Sequence, residues 1–298
     1  MKKEVLVIVN EYAGRGKNNK YISKICQNLD KQNYDVEVLY TSKEKNGEQI
    51  VKEYIRFVDT IIVCGGDGTL SEVINGIIKC NKKINVTYIP MGTTNDFAKT
   101  VKVPKNKYKL SKKLAKYNKH EIDIGKFKDS FFCYVAAFGA FSEVSYTTKQ
   151  KDKNKFGRIA YFKEVFLCLR KMKKLQTIKT TLVTDNEIIK DEFIYGSISN
   201  SISIAGFKWF KRNDFKINDG LFEIILIKKP KNFLGILKIM KSILIKKYDQ
   251  QIIYYLKSKH LKLDFEKEVS LTLDGEYGGN HKEILIEVNK NKIGFLCP

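Results

Sequence analysis

Ile61-Ile62-Val63-Cys64-Gly65-Gly66-Asp67-Gly68-Thr69 joins a short apolar run, rich in β-branched residues, to a glycine cluster that holds one carboxylate. Leu70, Val73, Ile74, Ile77 and Ile78 then recur at helical spacing up to Lys79. Strand, glycine loop and helix in that order present free backbone N–H groups to a phosphate at a helix N-terminus. The glycines are expected to supply positive φ and close backbone approach. Asp67 is a poor neighbour for phosphate unless a divalent cation or a hydrogen-bonded sugar lies between them. A tight turn capped by Asp67 would need fewer glycines than these, so the stretch reads as a nucleotide site.

The flanking sequence repeats the arrangement. Residues 4–9 form a near-continuous apolar strand, as in a buried parallel sheet. It runs into Asn10-Glu11-Tyr12-Ala13-Gly14-Arg15-Gly16-Lys17, a second loop containing glycine. Ile22, Ile25, Cys26 and Leu29 mark a helix, Asp35–Tyr40 a strand ending at Thr41-Ser42, and Ile50, Val51, Tyr54 and Ile55 another helix. Downstream, Asn85–Ile89 is a fourth strand, closed by Pro90-Met91-Gly92-Thr93-Thr94-Asn95-Asp96-Phe97. Strands alternating with helices imply βαβ units in an open parallel sheet. In such sheets ligands bind outside the carboxyl ends of the strands, where three of these loops converge.

After about residue 120 the texture changes. Ile122–Lys126, Phe131–Phe138, Thr177–Thr184, Glu187–Ser203, Leu221–Lys228, Gln251–Tyr255, Leu261–Phe265 and Val269–Leu273 read as strands of mixed polarity. Turn signals such as Thr184-Asp185-Asn186 and Asn218-Asp219-Gly220 separate them. Helical patterns interrupt near Arg158–Met172 and Asn232–Lys247. The expected architecture is α/β with two domains: residues 1–122 form a Rossmann-like nucleotide-binding domain. Residues 123–298 form a mainly antiparallel β domain whose last residues can return to the first.

Bulk properties narrow the function. A formal charge of +22 rests on lysine, since only Arg15, Arg56, Arg158, Arg170 and Arg212 carry a guanidinium. Lysine is a hydrated point charge without the bidentate fork that base readout favours. The excess is therefore only a weak argument for sequence-specific DNA binding and a better one for diffuse attraction to an anionic surface, and a Lys/Asn/Ile-rich composition bias would produce it equally well. Cys26, Cys64, Cys80, Cys133, Cys168 and Cys297 form no Cys-x-x-Cys pair, which fits a reducing cytoplasm and speaks against structural zinc or a disulfide framework. No apolar stretch approaches the ~18 residues of a membrane span. His120, His260 and His281 lack metal-ligand spacing. The chain carries neither the Walker P-loop nor the protein-kinase signature set.

Gly65-Gly66-Asp67-Gly68-Thr69, Gly92-Thr93-Thr94-Asn95-Asp96-Phe97-Ala98, Asp219-Gly220 and Asp274-Gly275-Glu276 together resemble the soluble bacterial diacylglycerol kinases and lipid kinases. That family is related to sphingosine and ceramide kinases and, more remotely, to NAD kinases and phosphofructokinases. The glycine pentad is shared across the superfamily; the Gly92–Ala98 block with the late Asp-Gly-Glu looks specific to lipid kinases. The resemblance implies ATP-dependent phosphoryl transfer to a lipid hydroxyl, diacylglycerol giving phosphatidic acid, with the active site in the cleft between the two domains. Carried over, the ATP contacts are Asn10, Glu11, Tyr12, Ala13, Gly14, Thr41, Gly65, Gly66, Asp67, Gly68, Thr69, Leu70, Ser71, Glu72, Thr93, Asn95 and Asp96. Glu276 is the implied general base, and Asp67 either holds Mg²⁺ or orients the reacting groups. A Mg²⁺ site maps to the Asp219 side chain and the carbonyls of Lys216 and Leu221, oxygen ligands suited to a hard cation.

Read without the resemblance, Asp274-Gly275-Glu276 is an ordinary hairpin turn, and Asn95-Asp96 could simply open a helix. The chain departs from the family pattern at Glu11, at Asn213 and Phe215, and in a turn reduced to Ala205-Gly206. Phe233–Leu244 has an amphipathic pattern with lysines on one face. That helix, or the basic loop Lys149–Lys155, could touch anionic headgroups. The expected setting is cytoplasmic with peripheral membrane association, and a homodimer is left open. The alternatives are another superfamily kinase, such as an NAD kinase, and a catalytically weak lipid-binding module.

Overall fold

The computed structural model describes residues 3–11, 13, 18–92, 94–104, 107–139, 176–289 and 293–297. The expected helix near Arg158–Met172 and the Lys149–Lys155 loop lie outside them. The first half alternates as the sequence implies: β1 (Lys3–Val9), α1 (Asn18–Asp30), β2 (Tyr34–Tyr40), α2 (Gly47–Tyr54), β3 (Thr60–Gly65), α3 (Asp67–Lys79) and β4 (Asn85–Pro90). Two short helices, α4 (Asp96–Thr100) and α5 (Lys107–Ser111), precede β5 (Asn118–Ile122).

β1–β4 are parallel in the order β2-β1-β3-β4, so their carboxyl ends share one edge. Alternation places Leu6 and Ile8 in one buried layer with Leu70, Val73, Ile74 and Ile77 of α3. Val5, Val7 and Val9 face the other layer, against Ile22, Ile25 and Leu29 of α1. Both faces are covered, which is why β1 and β3 read as near-continuous apolar runs, while the edge strand β2 carries Asp35 and Glu37.

The second half supplies β6 (Gly125–Phe127), β7 (Ser130–Phe132), β8 (Val135–Gly139), β9 (Ile178–Thr184), β10 (Ile188–Ser199), β11 (Ser203–Ile204), β12 (Phe207–Lys208) and β13 (Phe222–Lys228). Then come α6 (Phe233–Ile245), β14 (Ile253–Ser258), β15 (His260–Leu273), β16 (Glu276–Val288) and β17 (Ile293–Cys297). Nine of these strands build an antiparallel sheet around Phe132, Phe138, Phe193, Phe222, Leu263 and Ile284. β17 leaves it and enters the first sheet, parallel to β4 and antiparallel to β5. One core cluster runs across the join, from Leu6 and Val63 through Tyr134 and Tyr195 to Trp209 and Ile225.

Several expected strands are redrawn, each for a local reason. Ile122–Lys126 divides between the two sheets because Asp123 turns aside, donating its N–H to Ile217 O at 3.0 Å and accepting from Gly220 N at 2.7 Å. Phe131–Phe138 breaks at Cys133-Tyr134, whose N–H groups go to Asp274 instead of a neighbouring strand. Leu261–Phe265 and Val269–Leu273 fuse into β15, with a register shift between Asp264 and Val269. β16 was not expected: its first half is polar and carries Gly278-Gly279, and alternation emerges only at Ile284, Ile286 and Val288.

Candidate active site

The loops at the carboxyl ends of β1, β3 and β4 are tied to one another. Asn10 donates Nδ2–H to Thr69 Oγ1 at 3.0 Å, and its backbone N–H to Cys64 O at 2.9 Å. Gly65 O accepts from Met91 N at 2.7 Å and Gly92 N at 3.2 Å. A Cβ on Gly65 would lie 2.7 Å from Thr69 Cβ, and one on Gly92 2.8 Å from Gly66 Cα. Gly65 is therefore needed where its own turn packs on Thr69, and Gly92 for the close approach of loop to loop. The expectation of positive φ fails here, since Gly65, Gly66 and Gly68 are not among the positive-φ glycines.

Asp67 opens α3, and its carboxylate reaches across to the next loop, accepting from Asp96 N at 2.9 Å and Phe97 N at 3.4 Å. It thus holds the start of α4. Asn95 enters α4 at φ 49°, donates to Gly92 O at 2.6 Å, and accepts from the Tyr88 hydroxyl at 3.1 Å. Asp96 is 1% exposed and ties this loop to the second domain. It accepts from Ser203 Oγ at 2.6 Å and Gly206 N at 3.0 Å, and pairs with Lys99 at 2.8 Å.

Burial, with the Asp96 charge beside it, pushes the Asp67 pKa up to about 7. The folded form thus holds a proton that the unfolded chain releases near 4. Asp67's contribution to stability is present in full below about 4 and shrinks as pH climbs to about 7. Melting temperatures from pH 5 to 8 are expected to fall more steeply for the wild type than for Asp67→Asn. Parallel curves would contradict the assignment.

The second domain contributes the Asp-Gly-Glu turn. Asp274 and Gly275 both have positive φ, 50° and 87°, in the two-residue turn between β15 and β16. The hairpin reading and the functional reading therefore describe one object. Asp274, 3% exposed, accepts from Cys133 N at 2.7 Å, Tyr134 N at 2.9 Å and Val135 N at 3.1 Å. Ser71 of α3 also reaches it. Glu276 is exposed and stands over the glycine loop: a Cβ on Gly68 would lie 3.1 Å from Glu276 Oε1. Two motifs some two hundred residues apart in sequence thereby meet at the N-terminus of α3.

A family model for the diacylglycerol kinase catalytic domain matches residues 4–127. The diacylglycerol kinase of Bacillus subtilis (strain 168) is 29% identical over 284 residues, covering 93% of this chain and 91% of that protein. The diacylglycerol kinase of Staphylococcus saprophyticus is 28% identical over 281 residues, covering 94% and 90%. A crystal structure from Bacillus anthracis str. Sterne, of a chain assigned as a diacylglycerol kinase, superposes with a TM-score of 0.83 at 27% identity, covering 99% of this chain and 97% of that one. The chain is thus similar to diacylglycerol kinases over nearly its whole length, and residues 4–127 match their catalytic domain.

The remaining residues expected from the diacylglycerol kinase pattern fall as follows. Thr41 is buried at the end of β2, its N–H bonded to Val9 O at 2.9 Å. Glu11 is exposed, and Ala13 N donates to Asn10 O at 3.2 Å; Tyr12, Gly14 and Thr93 lie outside the described residues. Leu70 is fully buried in the core, which leaves only its backbone to the site. Glu72 accepts from Gly47 N at 2.9 Å and so braces α2 against α3.

Asp219 is exposed on the loop before β13 and accepts from Leu221 N at 3.2 Å. Among the described residues no three His, Cys, Asp or Glu side chains converge on one point, so a cation here would rest on one carboxylate with carbonyls and water. The donor set fits: Lys216, Asp219 and Leu221 offer hard oxygens. Beside the loop, buried Asn200 donates to Ile217 O at 3.1 Å while its Oδ1 takes no hydrogen bond among the described residues.

Sequence reading passed over Asp123 and Asn75, and named Asp274 only as part of its turn, without the amides it gathers. Asp123, set between two isoleucines, did carry a signal: an acid inside an apolar run is buried for a reason. Asn75 clamps the domains, accepting from Phe131 N at 3.0 Å and donating to Phe131 O at 2.8 Å. Nothing local marks it.

Proposed function

We propose that the protein transfers the γ-phosphoryl group of ATP to the hydroxyl of diacylglycerol, giving phosphatidic acid and ADP. The observation that carries this is the Glu276 carboxylate above Gly68, where the second domain meets the glycine loop of the first. The nucleotide lies along the carboxyl ends of β1–β4, over Asn10–Gly14, Thr41, Gly65–Glu72 and Thr93–Asp96. Helix α3 is 13 residues long, and its first N–H groups lack intrahelical partners and face the phosphates.

Glu276 accepts the proton of the lipid hydroxyl as its oxygen bonds to the γ-phosphorus, and the bond from phosphorus to the β-bridging oxygen breaks. Phosphoryl transfer of this kind needs its charge neutralised by Mg²⁺ carried with the nucleotide. Asp67 acts by positioning, since its two oxygens hold the amides of Asp96 and Phe97 and so fix the loop opposite Gly66. Asp219, with the carbonyls of Lys216 and Leu221, would hold a separate Mg²⁺, which would brace the loop before β13 in the second domain. Among the described residues no helix is long and apolar enough to cross a membrane. The lipid is reached by peripheral contact from the cytoplasmic side, helped by the +22 charge.

Release of ADP from ATP and Mg²⁺ is expected to rise when diacylglycerol is added and to stay at background with NAD. Stimulation by NAD with formation of NADP would replace this reading with the NAD kinase alternative, and no stimulation by any acceptor would leave a lipid-binding module.

A further inference from the structure

Helix α6 turns its two faces to different surroundings. The inner face, Ile236, Ile239, Met240 and Ile243, packs on the core cluster that holds Ile204 and Trp209. The outer face carries Leu234, Leu237, Leu244 and Ile245, which are 64%, 42%, 59% and 48% exposed. At helical spacing these four share a stripe ~120° wide with Lys238 and Lys241. A contiguous exposed apolar stripe of this kind marks an interaction surface.

Charge decides what covers it. No Asp or Glu occurs between Glu223 and Asp249, whereas Lys229, Lys231, Lys238, Lys241, Lys246 and Lys247 all fall there. Lys238 and Lys241 are exposed within the stripe. Two copies of such a face brought together would set lysine against lysine. A layer that is apolar inside and anionic at its rim matches both features at once, and lysine stems can run along apolar surface while their ammonium groups rise to phosphates.

We propose that the outer face of α6 docks the protein on an anionic lipid bilayer, its leucines entering the acyl boundary and its lysines meeting headgroup phosphates. The proposal rests on the reading of the acceptor as a membrane lipid. It gives that reading a geometry. Just past the end of α6, Tyr248 donates its hydroxyl to Trp209 O, in the segment that also holds Ser203 and Gly206, the residues that grip Asp96.

The test uses the full chain and vesicles of phosphatidylcholine with or without phosphatidylglycerol. The wild type is expected to sediment with the anionic vesicles, weakly with neutral ones, and to be released by salt. Lys238→Ala with Lys241→Ala should lower partitioning about fivefold per lysine, roughly 25-fold for the pair. Leu237→Ser with Leu244→Ser should lower it about tenfold or more, and all four sites are exposed enough to leave the fold intact. Binding is read without turnover, and turnover is read separately on dispersed short-chain diacylglycerol, which both variants should phosphorylate like the wild type. Unchanged vesicle binding by both variants overturns the proposal. So does a wild-type dimer that the leucine variant converts to monomer, which would make the face a self-association surface. Vesicle binding without phosphorylation of any lipid would sustain the docking surface while removing the kinase reading.

Discussion

Replacing Glu276 with Gln is expected to lower kcat for diacylglycerol phosphorylation by about 10²–10⁴, the span that general-base assistance supplies. Gln has the same shape, so it can still lie over Gly68, where the Glu276 Oε1 sits 3.1 Å from a notional Cβ. It cannot take the proton of the lipid hydroxyl. ATP affinity should change little, because the proposed nucleotide contacts come from the loops of the first sheet. Glu276 is exposed, so stability should stay within about 0.5 kcal/mol. Steady-state kinetics alongside calorimetric ATP binding separates the effects. A variant with wild-type kcat would remove Glu276 from the chemistry.

Asp274→Ala is expected to be the most damaging single change to both fold and turnover. The carboxylate takes three backbone N–H groups, from Cys133, Tyr134 and Val135, at a site 3% exposed. Leaving such buried donors unpaired costs about 1–3 kcal/mol each, offset in part because a buried carboxylate is itself expensive. Burial does raise the Asp274 pKa, even against those amides. Alanine also tolerates φ 50° worse than Asp. A net loss of about 2–5 kcal/mol is a large share of a typical folding free energy. Asp274→Asn keeps one acceptor and the turn. It should therefore fold, melt lower than the wild type, and turn over slowly because Glu276 is no longer aimed. Denaturant titration and kinetics on both variants check this. Wild-type stability in Asp274→Ala would show that the amide cradle carries no weight.

The parallel sheet was legible because its residues report local facts. Leu70, Val73, Ile74 and Ile77 lie on one helical face, and all are buried together. The loops at the strand ends were legible for the same reason, as each breaks an apolar run. What escaped were partnerships between distant segments. Asn75 gives no sign in its own neighbourhood that it will bond Phe131. Cys133-Tyr134 reads as mid-strand until Asp274 takes its amides. β16 is a strand because β15 templates it, not because residues 276–283 prefer to be one. The glycines of the opening loop were rightly singled out for close approach, and the contact that demands it, Gly66 against Gly92, lies in another loop. Asp67 was expected either to hold Mg²⁺ or to orient the reacting groups. Its carboxylate accepts from the amides of Asp96 and Phe97, which ties two strand-end loops together.

The central claim is that loops from two domains make one site for phosphoryl transfer to a lipid. The most direct measurement is to incubate the purified chain with γ-labelled ATP, Mg²⁺ and vesicles containing diacylglycerol, and to identify the labelled product. Label in phosphatidic acid, abolished by Glu276→Gln, is the expected result. No labelled lipid, or labelled phosphatidic acid formed equally well by Glu276→Gln, would contradict it.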